Sequence, residues 1–473
     1  MTESGINSPR RSDIILALSG LWIVLFCAGL IFISTGIAHA ESGTEKHVLR
    51  LVALLATAGA LFVLTTRCMR SVILGRKQLL WIIGIGFAAR IILIPSQPIL
   101  EDDYFRYLWD GAVTANTLKP YEYAPLEVSE GRGLPSVIRT LNEDGNNITE
   151  NINHPHLRSI YPPVAQGFFA ISYMVEPFSL PVWKILILAA DIVTLFLLIR
   201  ILGMLGLPSS NLAIYWWNPL LLKEIYNSGH LDPLLFPFLL GALILALAGR
   251  QILSVAGIII AAGIKLWPAF LLPVIIRPLL SRPKELIAAL FTATAGLTLI
   301  FLPLYLSGLN QGSGLIAYGT SWQNNDSAFR LLIFISEHAL EWLGYKPFAK
   351  YKVARAAALG LTLLWITYIT FRRKNENVVY KALVIAAFIF LISPTQFPWY
   401  YTWLLPLLVF YPRLSLLSLT VLLPLYYLRY YFEPRGQLDL FTDLVVWIEF
   451  IPVWILILAE WHHGRGERES LTV

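Results

Sequence analysis

Apolar runs of about 15 to 24 residues recur along the chain, and they constrain its fold more than any other feature. A helix needs about 20 predominantly apolar residues to span a bilayer, so each long run predicts a membrane-spanning helix. Only 14% of the residues are charged, compared with about a quarter in soluble domains. The sequence therefore predicts an all-α polytopic membrane protein and excludes disordered, coiled-coil and nucleic-acid-binding classes. The net charge of +6 indicates loops that face anionic lipid.

The length of the apolar runs predicts about 12–14 transmembrane helices. Ten runs are clear candidates, at 14–37, 48–66, 79–95, 182–202, 233–249, 285–304, 353–371, 378–392, 414–430 and 440–460. Four more are short or interrupted by proline, at 211–224, 252–265, 266–276 and 401–411. Helices that short must tilt, thin the bilayer or be re-entrant.

Short basic loops set the orientation of such a bundle. Arg10 and Arg11 precede the first span, and further basic clusters lie at 67–77, 277–284 and 372–374. We therefore expect these loops and both termini in the cytoplasm. Residues 38–40 resemble a signal-peptide cleavage site. However, the preceding apolar run at 14–37 is longer than the roughly 7–15 residues of a signal peptide, so we expect the first helix to be retained.

Two long polar segments, 97–161 and 305–352, interrupt the apolar runs and lie outside the cytoplasm in this topology. Long loops are usually functional or disordered, and the mixed order of proline, glycine, aromatic and charged residues in the first argues against disorder. We expect both external loops to contain juxtamembrane helices. The expected division is two extra N-terminal helices at 1–78, a catalytic core at 79–352 and C-terminal helices at 353–473.

Three adjacent acidic residues, Glu101, Asp102 and Asp103, directly follow the third span. Clustered carboxylates repel each other, which raises the pKa of at least one of them unless a cation compensates. Such a group suits a general base that deprotonates a sugar hydroxyl, or the ligand set of a divalent cation. It also suits a solvated helix N-terminus, where acids complement the helix dipole. The neighbouring Arg106 and aromatic residues favour a functional site.

Three motifs in a fixed order give the strongest indication of function. The segment EDDYFRYLWDG at 101–111 is followed by KPYEYAP at 119–125 and IYPPVAQ at 160–166. This ordered set resembles the first external loop of the GT-C glycosyltransferases, and most of all their bacterial mannosyltransferase-like members. The resemblance extends from Leu79 to about Trp403. It implies a GT-C-type helix bundle, to which the two N-terminal helices are an addition.

The resemblance also implies a chemistry. The sugar donor would be a polyprenyl-phosphate, the reaction would occur on the external face, and the anomeric carbon would be inverted. One of Asp102 and Asp103 would be the base that activates the acceptor hydroxyl. Asp103 is favoured because it directly precedes Tyr104, as the motif acid does in the family. Glu101 and Asp103 also match an acid-x-acid pattern found in some members, so a divalent cation is possible and no other cofactor is implied.

Further polar residues near predicted helix ends are candidates for binding the donor phosphate or the acceptor. Lys223, His230 and Asp232 lie between two spans, where charged groups need partners or a wet cavity. His230 and Asp232 resemble the second polar element of the superfamily. The alternative is a structural Lys223–Glu224 pair beside a hydrogen-bonded histidine. Lys265 suits a phosphate, or it is an ammonium that extends to the membrane interface.

The two external segments supply the remaining candidates. Arg106 and Tyr161 come from the first. Trp322, Asn325 and Arg330 come from the second, within a stretch that resembles the family loop that closes over the site. Arg330 would offer a bidentate phosphate clamp, unless the stretch is an ordinary solvated loop.

Two other groups of residues favour structural roles. The aromatic stretch 394–403 fits an interfacial belt better than a platform for a sugar. His154 and His156 are predicted to be loop residues, because no third ligand has metal-site spacing.

These inferences combine into one predicted activity. The chain is expected to be an integral hexosyltransferase that moves a sugar, mannose first among the candidates, from a polyprenyl-phosphate-hexose to a glycan or glycolipid. The expected location is the bacterial inner (plasma) membrane, with the site on the periplasmic or extracytoplasmic face. One alternative is a transporter or flippase for a lipid-linked sugar, which would place its acids at the membrane midplane. Another is an O-antigen polymerase or ligase, which would need a long external loop late in the chain.

Overall fold

The computed structural model describes residues 9–38, 44–69, 74–131, 133–309, 312–373 and 376–470. The chain is 78% helical, and the described residues form no β-strand, only two isolated bridges between loops. The prediction of an all-α polytopic membrane protein is confirmed. The basic residues Arg70 and Lys374, together with His39 and Ala40 of the cleavage-like sequence, lie outside the described residues.

Six helices in the described part of the chain are long and apolar enough to cross a membrane. They are Asp13–Ile37, Glu45–Met69, Leu180–Met204, Pro283–Leu306, Lys350–Phe371 and Leu438–His462. The segments Ser209–Asn227 and Asp232–Leu247 are bent by 106° at a short break and form a seventh crossing if they count as one span. Four apolar helices are shorter, at Pro163–Val175, Gln251–Ala262, Trp267–Leu279 and Val378–Ile392.

The described residues thus contain fewer full-length spans than the sequence predicts. Proline divides several of the predicted runs, because it lacks a backbone N–H and clashes with the preceding helical turn. Pro219, Pro268 and Pro406, for example, each stand at the start of a short helical piece. The helix Arg76–Leu93 is 18 residues long, but its first turn is basic and it carries a further arginine in its last turn.

The complete set of α-helices alternates long spans with short connecting pieces. Their bounds are Pro9–Ala38, Thr44–Met69, Arg76–Leu93, Asp103–Thr117, Pro125–Glu130, Ser136–Asp144, Pro163–Val175, Leu180–Met204, Ala213–Trp216, Pro219–Leu221, Phe236–Leu247, Gln251–Ala262, Leu272–Ile276, Pro283–Leu306, Gly314–Thr320, Ala328–Trp342, Lys350–Phe371, Val378–Ile392, Pro398–Tyr401, Leu405–Leu408, Leu414–Leu417, Leu419–Leu422, Arg429–Phe432, Leu438–Leu440 and Val446–Ser470. A π-helical turn at Leu222–Asn227 lies just before the bend, and such turns often occur at functional sites.

Both long polar segments form short helices. In the first, the helix Asp103–Thr117 begins directly after the acidic residues and ends at Leu118 in a left-handed conformation. It packs against the helix Pro163–Val175 so closely that a side chain at Gly111 would overlap the backbone of Phe169. The acidic residues therefore lie at the N-terminus of a helix that is fixed against the membrane bundle.

A buried polar network joins four elements inside the bundle. The Nε of Arg90 donates to Asp191 at 2.7 Å, and both side chains are fully buried. Asp191 also accepts from the hydroxyls of Tyr215 and Tyr226. Tyr226 belongs to the π-helical turn, so the network anchors that turn to two neighbouring helices.

The second N-terminal helix contacts the C-terminal part of the bundle. A side chain at Gly59 would lie 2.6 Å from the carbonyl oxygen of Thr420, and the hydroxyl of Thr420 bonds both Asn218 and Tyr401. The two N-terminal helices are thus packed into the bundle, whereas the division of the chain at residues 78 and 352 stays a prediction.

Candidate active site

A cavity of about 710 Å³ lies beside the acidic residues. Its wall combines the polar segment 97–161, the loop before Trp267, the polar segment 305–352 and the aromatic stretch near residue 400. Of the residues predicted from the sequence, seven line it: Glu101, Asp102, Asp103, Arg106, Tyr161, Lys265 and Trp322. The wall is acidic or basic at some positions and aromatic at many others, which suits a substrate with both charged and hydrophobic parts.

The three acidic residues differ in their surroundings. The side chain of Glu101 is only 6% exposed, whereas that of Asp103 is 24% exposed. The Nδ2 of Asn153 donates to Asp102 at 2.6 Å and to Asp103 at 3.2 Å, so a single amide orients both carboxylates. The hydroxyl of Tyr107 lies 3.5 Å from Asp103 Oδ2. Asp103 is therefore held in place while its carboxylate still faces the cavity.

Burial changes the acidity of these groups. It raises the pKa of Asp103 to about 6, with a further contribution from the neighbouring Asp102. It also raises the pKa of Asp102. The pKa of Glu101 lies well above its ordinary value because of burial and the nearby carboxylate of Glu224, although Lys223 opposes that rise. Asp103 thus has the pKa expected of a base that works near neutral pH.

His230 lies directly behind the acidic residues, in the break of the bent helix pair. It is fully buried, and its ring stacks on that of Trp399 with 4.3 Å between centroids. Its Nδ1 is 3.7 Å from Asp103 Oδ2. Its Nε2 is 3.9 Å from Glu101 Oε2 and 3.7 Å from Glu224 Oε2. The histidine therefore connects the cavity acids to a deeper group of charges.

Lys223, Glu224 and Tyr427 form that deeper group. The Lys223 ammonium is 3.7 Å from Glu101 and 3.4 Å from Glu224, and it also contacts the hydroxyl of Tyr427. That hydroxyl donates to Glu224 Oε1 at 2.6 Å. The structure thus contains the Lys223–Glu224 pair of the alternative interpretation. The same ammonium also lies near Glu101, so the pair is connected to the acidic residues of the cavity.

Lys265 and Asp232 form a second ion pair at the cavity wall. The two groups are 2.6 Å apart, and the Lys265 side chain is 18% exposed. The Nε1 of Trp403 donates to Asp232 at 2.5 Å, and the Lys265 ammonium lies over the ring of Tyr400, 4.3 Å from its centroid. These contacts present one cation to the cavity and keep its counter-charge buried.

Two predicted residues lie away from the cavity. Arg330 forms an ion pair with Asp443 at 2.7 Å and is not among the described lining residues. Asn325 is buried and donates to Glu449 at 2.7 Å. Because their partners come from the last helical segment, these two residues attach the polar segment 305–352 to the bundle. The role of Arg330 as a phosphate clamp stays a prediction.

Some residues at the cavity were predicted from the sequence to have structural roles, and others were not predicted. The stretch 394–403 does not form an exposed interfacial belt: Phe397, Trp399, Tyr400 and Trp403 are buried and line the cavity. His154 also lines it, with its ring 5.0 Å from that of Trp322. Asn153 and Tyr427 were not predicted at all. Asn153 lies next to the predicted His154, but a lone asparagine in a polar loop carries no signal of its own.

An acidic motif at a helix start, beside a cavity with aromatic walls in a helical membrane bundle, is the arrangement expected of an integral membrane glycosyltransferase. A family model described as "Alpha-(1->6)-mannopyranosyltransferase, N-terminal domain" matches residues 32–280, which is more than half of the chain. The chain belongs to this mannosyltransferase family. Comparisons with curated proteins and with solved structures gave no match. The predicted class, a membrane glycosyltransferase of the mannosyltransferase type, is thereby confirmed.

Proposed function

We propose that this mannosyltransferase takes mannose from a polyprenyl-phosphate donor and transfers it to a hydroxyl of a lipid-linked or envelope glycan. The reaction takes place on the external face of the bacterial plasma membrane. The observation that carries the proposal is the pairing in one cavity of a partly exposed carboxylate, Asp103, with a partly exposed ammonium, Lys265. A transferase with an anionic leaving group needs both a base and a cation.

Asp103 is the proposed base. It takes the proton of the acceptor hydroxyl as the oxygen forms its bond to the anomeric carbon. Glu101 is too enclosed for this role, because its carboxylate is 6% exposed and surrounded by other charged groups. Asp102 shares the Asn153 amide, but of the two aspartates it is Asp103 whose carboxylate lies 3.7 Å from His230 Nδ1. These contacts favour Asp103 over its two neighbours.

The leaving group departs with the electron pair of the broken bond between the anomeric carbon and the phosphate oxygen. A polyprenyl-phosphate needs no proton to leave, but it gains negative charge, which nearby cations stabilise. Lys265 and Arg106 line the cavity and supply that charge. Arg106 is held by a bond from its Nη2 to the carbonyl of Leu157 at 2.9 Å.

Attack from the face opposite the leaving group inverts the anomeric carbon. The family description names an alpha-(1->6) linkage. If this chain forms the same linkage by inversion, its donor is β-linked and its acceptor offers a primary hydroxyl. The stacked rings of Tyr400 and Trp403, 4.5 Å apart, provide an aromatic wall against which a sugar ring packs.

A transfer assay tests this proposal. Purified protein in nanodiscs receives polyprenyl-phosphate-mannose with a labelled sugar and an extract of membrane lipids, and labelled glycan is measured. The Asp103→Asn variant is expected to lower kcat by about 10²–10⁴-fold, the contribution of a positioned base. Asp102→Asn is the matched control, since it makes the same change one residue away, and it should keep most of the activity.

Three other outcomes would contradict parts of the proposal. Full activity of both variants, with unchanged thermal unfolding, would exclude the assigned base. Transfer from a nucleotide sugar in place of the lipid donor would exclude the donor class. Movement of the labelled lipid between leaflets without a new glycosidic bond would identify a transporter.

A further inference from the structure

Three possible metal ligands lie where the acidic residues of the cavity meet the deeper group of charges. One ligand atom each from Glu101, Glu224 and His230 lie within 4.8 Å of one another. The second oxygens of the two glutamates are already engaged: Glu101 Oε1 lies near Lys223 and Tyr427, and Glu224 Oε1 accepts from Tyr427. Glu101 Oε2, Glu224 Oε2 and His230 Nε2 face each other, and Glu224 Oε2 also accepts from the Lys223 ammonium at 3.4 Å.

His230 provides an independent observation. Neither of its ring nitrogens has a hydrogen-bond partner among the described residues, although the side chain is fully buried. Buried polar groups are nearly always bonded, and an exception calls for an unseen water or ion. Stacking on Trp399 fixes the ring, so the imidazole keeps Nε2 directed at the two carboxylates.

The distances leave room for a cation. Ligand atoms bound to one transition metal at about 2.0–2.2 Å lie about 3.0–3.5 Å apart. His230 Nε2 is 3.7 Å from one carboxylate oxygen and 3.9 Å from the other. The two distances from the histidine thus exceed this range by only a few tenths of an ångström, and all three ligand atoms lie within 4.8 Å of one another.

The balance of charge also favours a bound cation. Two carboxylates, Glu101 and Glu224, are opposed by one ammonium, Lys223. Asp103 adds a further carboxylate beside His230, while Lys265 is neutralised by Asp232. When the acids are ionised, these three carboxylates and one ammonium leave two negative charges without a counter-charge. Buried charges of one sign require a partner.

We propose that Glu101, Glu224 and His230 bind one divalent transition-metal ion, of the kind that carboxylates and imidazole share, such as Zn²⁺ or Mn²⁺. The ion reaches the site from the cavity, which Glu101 lines. This metal site differs from the Glu101–Asp103 pair that the sequence suggests, because Asp103 does not belong to the group of ligands.

The ion also acts on the proposed base, and this part of the inference rests on the proposed function. A histidine that binds metal through one nitrogen commonly donates its other N–H to a carboxylate. Here Nδ1 faces Asp103 Oδ2 at 3.7 Å. Metal binding at Nε2 fixes the proton on Nδ1, so His230 becomes a positioning residue that holds the Asp103 carboxylate toward the cavity.

The test measures metal and does not depend on the sugar reaction. The purified full-length protein is stripped with EDTA, dialysed and titrated with ZnCl₂ or MnCl₂, and binding is followed by calorimetry and by the thermal unfolding temperature. We expect one saturable site per chain and a raised unfolding temperature. Glu224→Gln and His230→Gln should each weaken binding by at least about tenfold, since even second-sphere changes at metal sites reach that size.

Glu285→Gln is the matched control, because Glu285 is an exposed acid that pairs with Arg282; it should bind metal as the wild type does. If the folded wild type binds neither metal stoichiometrically, the proposed metal site is refuted. The missing positive charge would then come from a proton. The same conclusion follows if both ligand variants are folded and bind as tightly as the wild type. A protein that binds metal but transfers no sugar would refute the proposed function alone.

Discussion

The buried pair of Arg90 and Asp191 allows a sharp test of how charge is tolerated inside this bundle. Both side chains are fully buried, and Asp191 accepts from Arg90 at 2.7 Å and from Tyr226 at 2.6 Å, as well as from Tyr215. Asp191→Leu keeps the number and branching of the side-chain heavy atoms but removes every acceptor. It leaves the charge of a fully buried arginine without a counter-charge.

The expected loss follows from these contacts. Removing one partner of a buried pair costs about 3–5 kcal/mol, because the remaining charge is uncompensated. Two tyrosine hydroxyls also lose their acceptor, at about 1 kcal/mol each. We therefore expect Asp191→Leu to lower the free energy of unfolding by about 5 kcal/mol or more. The double variant Asp191→Leu/Arg90→Met should recover most of the ion-pair part, since an apolar replacement of both charges is often neutral.

Unfolding in mixed micelles, by titration with a denaturing detergent, measures both values. Arg282→Met is the control, because Arg282 forms an exposed pair with Glu285, and such pairs are worth about 0–1 kcal/mol. A loss for Asp191→Leu no larger than that of this control would contradict the prediction. A double variant as unstable as the sum of its single changes would also contradict it, since the unpaired charge would then not be the cause.

Three further predictions concern the site and its support. Because burial raises the pKa of Asp103 to about 6 and the base must be ionised, kcat/KM should rise with pH through about 6 and level off above it; a limb near pH 4 in the pH–rate profile would point to another base. Lys265→Met should raise the KM for the lipid donor by about 10- to 100-fold, as expected for a lost bond to a charged group, and Lys265→Arg should restore part of the binding in the same assay. Gly86→Ala should destabilise the protein by about 1–3 kcal/mol, because its added carbon would overlap the ring of Trp216. Gly84→Ala is the control in the same helix, where the space is open, and thermal unfolding should show no loss.

The sequence was sufficient for the parts of the site that lie within one motif. Glu101, Asp102 and Asp103 start a helix beside the cavity as the acidic triplet suggested. Lys265 lies in the same cavity, although the sequence also allowed its ammonium to extend to the membrane interface. Local order was enough to place the acidic residues together, and the structure was needed to place Lys265.

The remaining residues depend on contacts that no local pattern contains. Tyr427 reaches Glu101 across 326 positions of sequence, and tyrosines are frequent in this chain. Trp399 faces His230, but an aromatic residue at a helix end looks the same whether it meets lipid or a cavity. Arg330 was expected at a phosphate, and it pairs with Asp443, 113 positions later. The role of a cationic side chain in a loop cannot be assigned until the element that packs beside it is known.

The long separation between Glu101 and Tyr427 has a consequence for how the protein becomes active. Chains are made from the N-terminus, and early segments fold first. The acidic residues and Lys223 are therefore in the membrane well before Tyr427, Trp399 and Trp403 are synthesised. Until those rings arrive, the charges beside them lack their bonds and the cavity lacks a wall. A chain that ends before these residues therefore lacks the completed cavity that the proposed transfer requires.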